Sequence, residues 1–178
     1  MVNGKLRIPT IFKMSPLFKE LHTIEIVKDI HVNSVNFVDD DENPYKNHSK
    51  KINFILGDSQ KELKYVCEKI KEPAVFYLDG HFSADWNGVT TGKSDNTDVP
   101  LYEELKIIND NFKHKAIVIC DDLRLFGDKF KHGDWTHITK DGVKKMVKDR
   151  LINSFGNSVP DDSPWGMDSL ILELKEID

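Results

Sequence analysis

The chain has 178 residues, which suits one domain with a single core across positions 1–178. Hydrophobic residues are 39% and charged residues 31%, a globular composition that excludes a disordered chain. The formal charge of -5 disfavours nucleic acid as a partner, because phosphate-backbone binders carry a basic face.

Residues 8–14 mix Ile8, Ile11, Phe12 and Met14 with polar positions and predict a short helix. Ser15-Pro16 interrupts it and predicts a cap for a second turn through Leu17 and Phe18. Residues 21–27, LHTIEIV, are β-branched and apolar around Glu25, which predicts a strand. From Lys28 to Lys51 the pattern blurs into a ragged amphipathic stretch and a polar loop with an Asn43-Pro44 turn. The acidic run Asp39, Asp40, Asp41, Glu42 reads as solvated surface.

Ile52–Leu56 predicts a short strand ending in Gly57-Asp58-Ser59. A helix follows over 60–71, with Leu63, Val66, Cys67 and Ile70 on one face and Asp58 or Ser59 as its cap. Ala74–Leu78, AVFYL, is an apolar run broken by Asp79-Gly80-His81 and predicts a buried strand with both faces covered by helices. Residues 84–99 are long and polar around Trp86, and a connection of this length is either a functional lid or disordered. Pro100 starts a helix over 101–112 with Leu101, Leu105, Ile108 and Phe112 inward and Glu103 and Glu104 outward.

Ala116–Cys120, AIVIC, reads as a second fully buried strand, followed at once by Asp121-Asp122. Residues 123–134 form a loop, and Thr139 or Asp141 caps a helix reaching about Leu151. Ser169–Leu174, SLILEL, is a last strand, and residues 156–174 leave no room for a crossover helix, so it joins antiparallel. Cys67 and Cys120, the only cysteines, sit in apolar settings and read as buried free thiols of a reducing compartment. No stretch approaches the ~20 apolar residues of a membrane span. The N-terminal MVNGKLRIPT lacks a signal-peptide core, so a cytoplasmic location follows by default.

Four predicted parallel strands each finish with carboxylates: Glu25; Asp58 with Ser59; Asp79 with His81; Asp121 with Asp122. In an open α/β sheet, ligands bind at those carboxyl ends. The succession IEI, GDS, YLDGH, CDD and LILEL resembles a class I S-adenosylmethionine-dependent methyltransferase over roughly residues 10–174. The likeness is nearest to the metal-assisted small-molecule O-methyltransferases, of the catechol type and the sugar-modifying type related to macrocin O-methyltransferase.

That resemblance implies an α/β, Rossmann-like methyltransferase sheet, mainly parallel, with an antiparallel last strand. It implies S-adenosylmethionine as cofactor, with Glu25 on the ribose hydroxyls, Asp58 and Ser59 at the adenine, and Asp79 facing the cofactor. A carboxylate is suited to the ribose role because it accepts two hydroxyl hydrogens. It further implies a divalent ion, Mg2+, between Asp79, Asp121 and Asp122, where it lowers the pKa of an acceptor hydroxyl. His81 stands where sugar-modifying relatives place a general base, and Asp79 shares the catalytic assignment. The implied partner is a small-molecule or sugar acceptor.

The chain departs from the family pattern at its start. Only Val2-Asn3-Gly4 precedes Lys5, where the family has a strand and a glycine-rich turn. If Gly4 is the first glycine of that turn, Ile8 occupies the place of the second, and its side chain crowds the space a glycine leaves open. Either the sheet has lost its first strand, or the chain is a fragment, or a partner or alternative start supplies the strand. A lost strand leaves unpaired backbone groups and invites homo-oligomers or strand exchange. Two functions follow: a metal-assisted O-methyltransferase, or a catalytically inactive methyltransferase-like binding or assembly module. A metal-dependent hydrolase fits less well, since no second histidine accompanies the cluster at metal-ligand spacing.

Overall fold

The structure, a computed structural model, describes residues 10–41, 43–83, 90–94, 97–130, 133–157 and 168–177. The chain is mixed α/β and divides into two compact units, Met1–Asp58 and Ser59–Asp178.

In the first unit, α1 (Thr10–Met14) is followed by β1 (Leu21–Glu25), α2 (Lys28–Asn36) and β2 (Ile52–Leu56). The second helical turn expected after Ser15 does not form. Ser15 is buried and its hydroxyl donates back to the Phe12 carbonyl at 2.7 Å, which closes α1 instead of opening a helix. β1 and β2 are parallel, Leu21 opposite Ile52 and Glu25 opposite Leu56, so both carboxyl ends lie at one end of the pair. Phe12, Leu21, Phe37 and Ile52 form the core, with Phe12 and Phe37 edge to face at 5.1 Å. The Asn43-Pro44 turn is held from inside, by the buried Asn43 amide donating to the Phe37 carbonyl at 3.1 Å. The glycine-turn positions Gly4 and Ile8 lie outside the described residues.

In the second unit, α3 (Ser59–Lys69), β3 (Ala74–Leu78), α4 (Leu101–Asn111), β4 (Ala116–Cys120), a hairpin of β5 (Lys129–Phe130) and β6 (Gly133–Asp134), α5 (Lys140–Met146), β7 (Leu151–Asn157) and β8 (Ser169–Leu174) follow in order. Four of the strands form one mixed sheet in the order β3-β4-β8-β7. β3 and β4 are parallel, and β8 is antiparallel to both β4 and β7. The last strand is therefore antiparallel, as its short connection predicts. Its hairpin partner β7 was hidden in the sequence: residues 151–157 lie where a helix end and turn are expected, and α5 stops at Met146.

The burial of β3 also differs from expectation. Phe76 and Leu78 are buried, but Val75 and Tyr77 are 45% and 55% exposed, so helices do not cover both faces. Among the described residues β3 is an edge strand of its sheet, and an unbroken apolar run does not distinguish an edge from a centre. β4 buries Ala116, Val118 and Cys120 and leaves Ile117 and Ile119 half-buried. The stripe Leu101, Leu105, Ile108 and Phe112 is buried as its spacing predicts, with Phe112 edge to face on Phe76 at 5.0 Å. Glu104, expected outside, is buried. Cys67 and Cys120 are buried free thiols. Among the described residues, no helix is long and apolar enough to cross a membrane.

Candidate metal centre

The parallel pairing of β3 and β4 places Leu78 opposite Cys120, so Asp79 to His81 and Asp121 to Asp122 leave the sheet side by side. The Asp121 N–H still reaches the Leu78 carbonyl at 3.0 Å, extending the ladder by one bond. Asp122 then turns left-handed, at φ 56° and ψ 39°. It is the only non-glycine residue with positive φ among the described residues. Aspartate tolerates that region better than most side chains, and the turn redirects its carboxylate.

The result is a tight cluster. Asp122 Oδ2 lies 2.8 Å from His81 Nε2, and Asp79 Oδ1 lies 3.7 Å from the same nitrogen. Ligand atoms of Asp79, His81 and Asp122 all fall within 4.8 Å of one another, a group able to hold a metal ion. The other ring nitrogen, Nδ1, faces the Phe82 carbonyl at 3.1 Å. The second oxygen of Asp122 is held by Arg124 Nη2 at 2.7 Å, and Arg124 Nη1 reaches Asp168 at 2.9 Å. Trp135 is buried and sets its indole edge to face against the His81 ring at 5.1 Å. Phe126 stacks on Trp135 at 5.9 Å. A small cavity of about 10 Å³, lined by Asp79, Gly80, His81, Glu104, Asp121 and Trp135 among others, opens beside them.

The charges respond to this crowding. Burial works against the His81 imidazolium, but the hydrogen bond to Asp122, the Phe82 carbonyl and two carboxylates outweigh it and raise its pKa. Burial works against ionised Asp122 too, yet His81 and Arg124 hold its carboxyl below the ordinary range. Asp79 lacks such a close cation. Loss of solvent around its carboxyl, then the charge of Asp121, push it up to about 6, although half of the side chain stays exposed.

The sequence-predicted residues divide as follows. Asp79, His81 and Asp122 come together. Asp121 lines the cavity but turns its oxygens elsewhere: Oδ2 accepts from the Tyr77 hydroxyl and Oδ1 from Ser169 Oγ. Ser59 opens α3 with its hydroxyl 3.8 Å from where a Cβ on Gly80 would lie, close to the loop that carries His81. In the first unit, Glu25 is half-buried and its Oε1 accepts the Val27 N–H at 2.7 Å, while Asp58 is buried. Glu25 and the Gly57-Asp58 turn share one end of the β1–β2 pair, tied by the Gly57 N–H to the Glu25 carbonyl at 3.0 Å. Trp86 lies outside the described residues.

Arg124 and Trp135 were missed from the sequence. Arg124, two residues past Asp122, was legible only as one cation in a loop, and Trp135 follows the small hairpin with no spacing that points to it. No protein-family model matches the chain, and no curated protein does.

Proposed function

We propose that the chain is an S-adenosylmethionine-dependent O-methyltransferase, assisted by a divalent cation and acting on a hydroxyl of a small molecule or sugar. The observation that carries this reading is a carboxylate–imidazole cluster at the carboxyl ends of the parallel pair β3–β4, with antiparallel β8 completing the sheet beside β4. Ligands of an open α/β sheet gather at such strand ends, and an antiparallel last strand is part of what the resemblance implies, although the resemblance puts Asp121 in the metal set where the structure has His81.

The donor set suits a divalent ion. Two carboxylates and one imidazole bring their ligand atoms within 4.8 Å of one another, and Asp79 and His81 also line the small cavity. Bound there, the ion would draw down the pKa of an acceptor hydroxyl. S-adenosylmethionine would supply the methyl group; the resemblance assigns Glu25 to its ribose hydroxyls, Asp58 and Ser59 to its adenine, and Asp79 to the cofactor as well as to the ion. His81 Nε2 has one lone pair, so it serves either as the proton acceptor of the reaction or as a ligand of the ion.

The test is titration calorimetry of the full chain with S-adenosylmethionine, with and without divalent cation. Heat of binding that weakens in Glu25→Ala supports the reading. Absence of both binding heat and thermal shift at millimolar cofactor overturns it. The reading as a non-catalytic assembly module draws on the edge position of β3, whose outer side has no strand partner among the described residues. It expects a dimer by light scattering and no methyl transfer.

A further inference from the structure

His81 is oriented as a metal ligand is oriented. The Phe82 carbonyl can only accept, so its 3.1 Å contact requires that Nδ1 carry a hydrogen. A second donor or acceptor, Ser83 Oγ, stands 3.3 Å from the same nitrogen. With Nδ1 protonated, Nε2 presents either a lone pair or a second N–H to Asp122 at 2.8 Å and Asp79 at 3.7 Å. A lone pair facing two carboxylates is repulsive unless a cation lies between them. A histidine whose far nitrogen donates to a backbone carbonyl, with its near nitrogen among carboxylates, is the usual setting of a metal-bound imidazole.

The distances agree. Ligands at right angles on an octahedral ion with ~2.1 Å bonds stand about 3 Å apart, and the two separations at Nε2 bracket that value. Outer support is also present. Arg124 takes the second oxygen of Asp122, and buried Trp135 braces the imidazole ring. Asp121, which a purely carboxylate site would use, is engaged by Tyr77 and Ser169.

We propose that Asp79, His81 and Asp122 bind a divalent first-row transition metal, with Mn2+ preferred to Mg2+, and that His81 is a ligand of that ion and not the base. One imidazole among hard oxygen donors moves the preference from Mg2+, which favours oxygen, to an ion that accepts nitrogen as readily. The proposal deepens the metal-assisted reading above, but its experiment needs no cofactor.

The chelator-treated full chain is loaded with Mn2+ and studied by pulsed electron paramagnetic resonance, which detects nitrogen bound directly to the ion. Nitrogen modulation is expected, lost in His81→Gln and kept in Asp121→Asn. Calorimetric Mn2+ affinity should exceed Mg2+ affinity and fall by about tenfold or more in His81→Gln. Bound Mn2+ without nitrogen modulation overturns the proposal, as does failure to bind Mn2+. Loss of binding in Asp121→Asn with none in His81→Gln does so too. If His81→Gln fails to fold, the unsubstituted chain still decides by its spectrum. Nitrogen-ligated Mn2+ in a chain that never binds S-adenosylmethionine would sink only the methyl-transfer reading.

Discussion

Asp122 meets His81 from a left-handed backbone: Oδ2 stands 2.8 Å from Nε2 while its own φ is 56°. The pair therefore joins a strained main-chain position to the only imidazole of the cluster. Without metal, the contact needs a proton on Nε2, which is why His81 titrates above its ordinary value. Asp122→Asn removes the negative partner and tolerates the same backbone, so the His81 pKa should fall, and the stability carried by the lowered Asp122 carboxyl and the raised His81 imidazole should fall with it. Ring-proton NMR titration of the chelated chain checks the first part. Asp122→Ala should cost about 1–2 kcal/mol more than Asp122→Asn in urea unfolding, since alanine gains nothing locally from the left-handed region.

Asp79 sets a pH dependence of opposite origin to the usual acid. Its folded-state pKa of about 6 is above the ordinary 3.8, so the folded chain holds this proton more tightly than the unfolded chain. The stability it contributes is complete below pH 3.8 and is lost as pH rises through about 6. His81 acts in the same direction at higher pH, complete below its ordinary 6.5 and lost above it. In Asp79→Asn the first decline should vanish and the second remain. Urea midpoints of the chelated chain, measured from about pH 4 to about pH 8, separate the two.

Arg150 is buried, and its guanidinium caps backbone instead of pairing with a carboxylate. It donates to the carbonyls of Ile108 at 3.2 Å, Phe112 at 2.7 Å and His114 at 2.8 Å at the end of α4, and to Lys175 past β8 at 2.9 Å. Those helix-end carbonyls carry the negative end of the helix dipole, which favours a cation there. Arg150→Met leaves several buried acceptors without donors and should cost about 3 kcal/mol or more. Arg150→Lys, with three donors on one nitrogen, should recover only part of that.

Gly142 in α5 is required for lack of a side chain. A Cβ there would overlap the Tyr102 hydroxyl and lie 2.8 Å from Tyr102 Cζ and 2.9 Å from Thr139 Oγ1. The Tyr102 hydroxyl accepts the Thr139 N–H at 3.0 Å, and Thr139 caps the helix by accepting the Gly142 N–H at 2.9 Å, so neither side yields freely. Gly142→Ala should destabilise by about 1–3 kcal/mol. The same substitution in a Tyr102→Phe background should cost less, as read from thermal midpoints.

The thiols of Cys67 and Cys120 are each pushed up to about 12, chiefly by burial. Neither should react with a thiol reagent at neutral pH until the chain unfolds. Release of both at the rate of global unfolding, and not before, checks this.

The amino-acid sequence alone determined the elements whose signals are local. Ile52–Leu56, Ala74–Leu78, Ala116–Cys120 and Ser169–Leu174 are strands at the bounds expected, because short apolar runs between turn residues carry their own punctuation. The stripe on α4 and the Thr139 cap were legible for the same reason: each depends on residues within one or two turns.

Only tertiary structure decided what depends on distant chain. Leu151–Asn157 becomes a strand because β8 offers it a ladder, and Val75 and Tyr77 are exposed on β3, which lies at an edge among the described residues. Nothing within five residues of Arg150 announces the carbonyls it caps. At the candidate site, the sequence supplied Asp79, His81, Asp121 and Asp122 as neighbours, but not which of the two adjacent aspartates would face the histidine. The left-handed turn at Asp122 and the Tyr77 and Ser169 hydroxyls that take Asp121 made that choice. Adjacent residues leaving a strand point in different directions, and the direction that reaches a partner is set by where the neighbouring strands place theirs.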